Sequence, residues 1–152
     1  MARSEASVEI ARPPADVFPW LLDPEKRLRW VSGLVSSQPL GDGRFRETIE
    51  QAGRRVDVTS SVVALEEPHR LEVRSKGRGV TARIAHRLEP TGDGTRVSSS
   101  LELELGGLLR LAGGLAAGQA QRSLERSLAR LKELLEAAGS DDADEEPGAE
   151  QA

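Results

Sequence analysis

The sequence predicts an α+β protein in which a curved antiparallel sheet of about seven strands wraps around one long C-terminal helix. Three observations support this fold class. A long helical pattern occupies residues 111–138, near the C-terminus. Most of the chain before it alternates between apolar and polar residues, as half-buried strands do. Turn residues recur between the alternating segments, which favours a meander of antiparallel neighbours.

The first elements are a strand and two short helices. Residues 7–11 alternate and predict the strand, which two prolines end. A short helix is predicted over residues 15–23, with Pro14 suited to the first helical position. Pro19 conflicts with an unbroken helix there, because an interior proline costs about 3 kcal/mol. A second helical piece is predicted over residues 25–31.

Six further strands follow, each bounded by a turn. They are predicted over residues 34–40, 44–51, 55–65, 70–75, 80–88 and 95–105. Within residues 55–65 the apolar face changes between Val62 and Val63, which predicts a β-bulge. Both faces of residues 44–51 carry charge, so the pattern leaves open which face of that strand points inward.

The long helix carries an apolar stripe that can cover the buried face of the sheet. The stripe consists of Leu124, Leu128, Leu131 and Leu135, at helical spacing. The N-terminal part of the helix is rich in Gly and Ala, so two starting points remain open. The helix begins near residue 111, or only near Ala116 or Ala117, which would leave residues 108–115 as an apolar loop.

Composition and charge exclude several classes of site. The chain has 152 residues and no Cys, which rules out disulfides and thiolate chemistry. Its two His residues make a poor metal site, and no phosphate-binding or nucleophile motif is present, so we expect no metal and no cofactor. No apolar run approaches the ~20 residues of a membrane span, so stable membrane insertion is not expected. The N-terminus has no signal-peptide pattern, and we expect a cytoplasmic protein.

The charge divides the chain unevenly. Residues 139–152 hold six acids and no base, while residues 1–138 carry 19 acids and 21 bases. We therefore expect one domain over residues 1–138 and an acidic disordered tail over residues 139–152. The nearly balanced charge of the domain and its 3% aromatic content argue against nucleic acid as a partner.

Several motifs together resemble a known superfamily. They are the strand and Pro-x-x-x-Val-Phe opening at residues 8–18, Asp-Pro at residues 23–24 with Trp30 after it, and the turns at residues 41–45, 67–71 and 94–97. With this element order, residues 5–138 resemble the helix-grip superfamily. That superfamily includes START-type lipid transfer domains, the birch-pollen-allergen family and bacterial polyketide cyclase/dehydrase and lipid transport proteins. The resemblance implies an elongated apolar cavity between sheet and helix, which holds a lipid, sterol, polyketide or similar molecule.

Two residues could carry chemistry in such a cavity. His86 lies on the apolar face of its strand, where it could act as an acid or base, or could be a hydrogen-bonded core histidine. Glu47 lies between apolar neighbours, where burial would raise its pKa unless it meets water or an arginine. The ligand-binding residues predicted for the cavity are Trp30, Phe45, Ile49, Val58, Val73, Ile84, His86, Leu101, Leu103, Ala117 and Leu124.

Three functions remain open from the sequence. The first is a carrier or sensor that binds a hydrophobic small molecule without chemistry. The second is a polyketide cyclase or dehydrase that uses the cavity as a template, with His86 and Glu47 moving protons. The third is a protein-interaction module like the co-chaperone activator domains that share the resemblance, for which the protein partner is unknown.

Overall fold

The computed structural model describes residues 2–51, 53–106 and 113–149, with side chains for residues 3–50, 53–106 and 118–138. The strands are β1 (Ala2–Ile10), β2 (Leu34–Gly41), β3 (Arg44–Gln51), β4 (Arg54–Glu66), β5 (Arg70–Gly77), β6 (Val80–Pro90) and β7 (Thr95–Leu105). The helices are α1 (Pro14–Val17), α2 (Pro19–Leu22), α3 (Pro24–Trp30) and α4 (Gly113–Ala149). This order confirms the predicted α+β fold class.

Within the described residues, the seven strands form one antiparallel sheet in the order β1-β7-β6-β5-β4-β3-β2. The predicted meander is confirmed from β2 to β7, and β1 joins the sheet beside β7. The predicted bulge is also confirmed, because the register of β4 against β5 shifts between Val62 and Ala64. Val63 and Leu65, which follow the bulge point, are each 48% exposed.

The helical segment after β1 divides into three pieces rather than two. Pro19 explains the division, because it starts α2 instead of interrupting a longer helix. Phe18 joins α1 to α2 with helical backbone angles. The side chain of Asp23 caps α3 by accepting hydrogen bonds from the backbone N–H groups of Glu25 and Lys26, at 2.9 and 3.4 Å.

Strand β1 is longer than predicted and runs beside α4. It begins at Ala2 rather than at residue 7. The Gln121 amide donates to the Glu5 carbonyl over 2.8 Å, and the Lys132 ammonium donates to the Glu9 carbonyl over 2.6 Å. Helix α4 therefore follows β1 in the same direction, with its N-terminal half beside the start of the strand.

The start of α4 decides between the two expected starting points. The chain is already helical at Gly113, which rules out a start at Ala116 or Ala117. Residues 107–112, which include most of the predicted apolar loop, lie outside the described residues. The helix is assigned as far as Ala149. The division of the chain after residue 138 stays a prediction.

The inner face of the sheet has two ends that differ in burial. We call the closed end the buried cluster of Ile10, Val17, Phe18, Trp20, Leu21, Trp30, Leu71, Leu88, Val97, Leu128, Leu131 and Leu135. We call the open end the half-buried inward residues Phe45, Ala82, Ile84, Leu101 and Leu103. The closed end packs against the middle of α4, and the open end lies toward the start of β1. The leucines Leu128, Leu131 and Leu135 therefore pack the helix against the closed end.

Candidate functional site

Polar side chains form a hydrogen-bonded chain on the inner face beside the open end. The Ser60 hydroxyl donates to Oε1 of Glu47 over 2.9 Å and lies 2.7 Å from the Ser75 hydroxyl. The Ser37 hydroxyl donates to Oε2 of Glu47 over 2.7 Å. The Arg27 guanidinium donates to both carboxylate oxygens of Glu47, Nη1 to Oε2 and Nη2 to Oε1. Strands β2, β3 and β4 and helix α3 thus meet at one buried carboxylate, and β5 joins this group through Ser75.

Strand alternation and helix periodicity place these groups. Glu47, Ser60 and Ser75 occupy inward positions on β3, β4 and β5, and all three are buried. Arg27 lies three residues before the buried Trp30 on α3, so both side chains project from one helix face. The short helix therefore turns a tryptophan and an arginine toward the sheet together.

The electrostatics of Glu47 follow from its partners. Burial raises the pKa of this carboxyl, but the charge of Arg27 and the hydrogen bonds from Arg27, Ser37 and Ser60 outweigh burial and lower it. The raised pKa considered from the sequence is therefore wrong for this residue. The arginine considered as the alternative is present, and the pair carries no net charge.

His86 lies where the closed end meets the open end. Its Nδ1 is 2.7 Å from the Ser99 hydroxyl, and its ring is edge-on to Trp30 at 6.1 Å between centroids. The indole N–H of Trp30 donates to the Trp20 carbonyl over 2.8 Å. Burial and the charge of Arg27 lower the pKa of His86 to about 4. The imidazole is therefore neutral near pH 7.

Glu47 and His86 do not form the proton-transfer pair that the sequence left open. Glu47 bonds to Arg27, Ser37 and Ser60, whereas His86 bonds to Ser99. The positive charge of Arg27 lowers the pKa of both Glu47 and His86. The arrangement offers a neutral ion pair, serine hydroxyls and the Nε2 of His86, which bonds to no described residue.

The predicted ligand-binding residues divide by burial. Trp30, Val58, His86 and Leu124 are buried, between 5% and 9% exposed. The half-buried members are Phe45, Ile49, Val73, Ile84, Leu101 and Leu103. The side chain of Ala117 lies outside those described. The inward face of β3 is settled, since Phe45, Glu47 and Ile49 point to the same side as the inner rows of β4. Their contact with a ligand stays a prediction.

Sequence reasoning missed Arg27 and Ser37. The signal for Arg27 was the spacing of three residues from Trp30, which places both on one helix face. The signal for Ser37 was weaker, because β2 is an edge strand whose register shifts twice against β3. His69, the other histidine, is exposed.

Two other features are absent from the described part of the chain. No group of three or more His, Cys, Asp or Glu side chains is placed to hold a metal ion within residues 3–50, 53–106 and 118–138. In the same part of the chain, no helix combines the length and the apolar character that crossing a membrane requires.

Comparison with known proteins supplies a family and several structures. The family described as polyketide cyclase/dehydrase and lipid transport matches residues 1–136. No curated protein sequence matches the chain.

Solved structures share the fold. A protein from Thermus thermophilus is 23% identical with a TM-score of 0.78, over 90% of this chain and 98% of its own. A conserved protein from Geobacillus kaustophilus is 18% identical with a TM-score of 0.74, over 88% and 94% of the two chains. A protein from Deinococcus radiodurans is 20% identical with a TM-score of 0.70, over 90% and 98%. At these identities the similarity shows the fold alone.

Proposed function

The chain belongs to the polyketide cyclase/dehydrase and lipid transport family, and from this premise we propose that it binds or transports a hydrophobic small molecule between the sheet and α4. The observation that carries the proposal is the open end. Its inward apolar side chains, such as Phe45, Ile84 and Leu103, are only half-buried. Farther along β6 and β7, at the closed end, the inward side chains of Leu88 and Val97 are fully buried. An apolar surface with a few convergent polar groups is typical of a small-molecule site.

Binding or transport is favoured over catalysis because the titratable groups are already engaged. Glu47 is held by Arg27, Ser37 and Ser60. His86 has a pKa of about 4, which is poorly matched to acid–base work near pH 7. A polyketide cyclase or dehydrase remains the second candidate. The observation that favours it is the Nε2 of His86, which bonds to no described residue.

The test uses a neutral hydrophobic fluorophore, N-phenyl-1-naphthylamine, and one pair of matched substitutions. Leu103→Trp fills the open end and should weaken probe binding by about tenfold or more. A tenfold loss corresponds to about 1.4 kcal/mol of binding free energy. Val63→Trp adds the same side chain at a position that is 48% exposed and should leave binding unchanged. Equal binding by both variants, or no binding by the wild type, would contradict the proposal.

Native mass spectrometry of the freshly purified protein identifies the ligand class. A discrete hydrophobic mass released by solvent extraction supports binding or transport. The substitution His86→Gln separates the two candidates. If it leaves probe binding intact and abolishes turnover of a polyketide-like substrate, the enzyme becomes the better assignment.

A further inference from the structure

A pocket lies at the side of α4, and neither Glu47 nor His86 lines it. It is a cleft of about 280 Å³ between α4 and the turn that joins α3 to β2. The cleft is lined by Ser32, Gly33, Glu50, Gln119, Arg122, Ser123 and Arg126. One hydrogen bond closes it at the C-terminal side, from the Ser32 backbone N–H to the Ser127 hydroxyl at 2.9 Å.

The two arginines give the cleft its charge. Arg122 and Arg126 are exposed and lie at i, i+4, so their like charges repel along one face of the helix. Neither forms an ion pair with a described residue. Nη2 of Arg126 donates to the Ser123 hydroxyl over 3.2 Å, and the Arg122 guanidinium extends back along the helix to within 3.5 Å of where a Cβ at Gly118 would stand.

The single acid in the lining does not neutralise these arginines. The Glu50 carboxylate is paired with Arg55, with Nε 2.8 Å from Oε2. The remaining lining groups are hydroxyls, an amide and backbone. Two guanidiniums beside hydroxyl and amide donors form the kind of surroundings that carboxylates and phosphates bind.

The cleft also adjoins the inner face of the sheet. Glu50 follows the inward residue Ile49, whose register partner on β2 is the buried Leu34. Ser123 precedes Leu124, the first buried leucine of the α4 stripe. The cleft and the inner face are therefore built on the same stretches of β3 and α4.

We propose that this cleft binds an oxyanion, the carboxylate or phosphate head of an amphipathic ligand whose apolar chain lies on the inner face. The inference rests on the proposed function and narrows it to anionic amphiphiles. The arginines hold the head, and the apolar residues of the inner face hold the chain.

The test compares dodecanoate with 1-dodecanol, which share a chain and differ in charge. The wild type should bind dodecanoate at least tenfold more tightly. The double substitution Arg122→Gln/Arg126→Gln should reduce dodecanoate affinity to that of 1-dodecanol. The conservative pair Arg122→Lys/Arg126→Lys should recover part of the difference, and Arg130→Gln, which removes an exposed arginine paired with Glu133 at 3.4 Å, should have no effect.

Failure of this inference is distinguishable from failure of the proposed function. Equal affinities for dodecanoate and 1-dodecanol, unchanged by the double substitution, would overturn the anion site and leave hydrophobic binding intact. If neither amphiphile binds, the proposed function is wrong. A third experiment adds inorganic phosphate and follows the amide resonances of Ser32 and Gly33. Suppose that phosphate shifts these resonances, that the double substitution abolishes the shifts, and that no amphiphile binds. This result would assign the cleft to a free anion and overturn the ligand-head inference.

Discussion

At the scale of single residues, Glu47 and Arg27 form a buried ion pair on the inner face. The two side chains are 3% and 14% exposed, so each charge depends on the other. Glu47→Gln leaves the Arg27 guanidinium buried without a counter-charge, and we expect it to lower the free energy of unfolding by about 3 kcal/mol. Urea denaturation followed by circular dichroism measures this loss.

The double substitution Glu47→Gln/Arg27→Met is the control for that prediction. Removing both charges should recover part of the lost free energy, because an apolar pair of similar size needs no charge partner. A double variant that is less stable than Glu47→Gln alone would show that the arginine stabilises the fold through contacts other than its ion pair.

His86 gives a pH dependence whose sign can be worked out. Its pKa falls from 6.5 to about 4 in the native state, so the unfolded chain takes up a proton at a higher pH than the native chain does. Stability should therefore fall as the pH drops through this range, by about 1.5 kcal/mol between pH 6.5 and pH 5. The lowered pKa of Glu47 acts only below its ordinary value of 4.5, outside this window.

The substitution His86→Gln isolates the contribution of the imidazole. The variant has no group at position 86 that titrates, so its stability should change little between pH 6.5 and pH 5. Parallel pH profiles for the wild type and the variant would show that another group is responsible for the wild-type slope.

Residue roles were only partly predictable from the sequence. Alternation placed His86 on the apolar face of its strand, and it is buried. Alternation says nothing about partners across the space between elements. The arginine that holds Glu47 comes from α3, 20 residues earlier in the chain, and this contact depends on how the short helices fold back on the sheet.

At the scale of elements, the closed and open ends of the inner face should respond differently to truncation. Leu131 of α4 is fully buried, so Leu131→Ala should lower the free energy of unfolding by about 3 kcal/mol. Leu103 of β7 is half-buried at the open end, and Leu103→Ala should cost less than about half of that. Chemical denaturation of both variants measures the difference, and equal losses would show that the open end is packed as tightly as the closed end.

Element boundaries were predictable where turns or prolines marked them. Strand β3 and strand β7 have the predicted ends, because glycine-containing turns flank them. The start of β1 was missed because its early inward residues, Ser4 and Ala6, are small and give no apolar alternation. Strand β1 is held instead by its pairing with β7, which lies far along the chain, a contact that local pattern cannot show.

At the scale of the whole molecule, the uneven charge predicts a boundary between the domain and a C-terminal segment. Residues 139–152 hold six acids and no base, and the buried leucine stripe of α4 ends at Leu135. A chain that ends at residue 138 should therefore keep its free energy of unfolding to within about 0.5 kcal/mol, since surface changes away from the core have small effects. It should also bind N-phenyl-1-naphthylamine as the full chain does.

The same truncation distinguishes a ligand-binding domain from a module that works through its acidic segment. Removing six acids changes the net charge from −4 to +2, so any partner held by the tail should be lost at low salt, where electrostatic attraction is strongest. On the proposed function, the neutral probe N-phenyl-1-naphthylamine binds the inner face, so its binding should persist at every salt concentration. A truncated chain that unfolds more readily by several kcal/mol would place the domain boundary beyond residue 138 and make the end of α4 part of the folded unit.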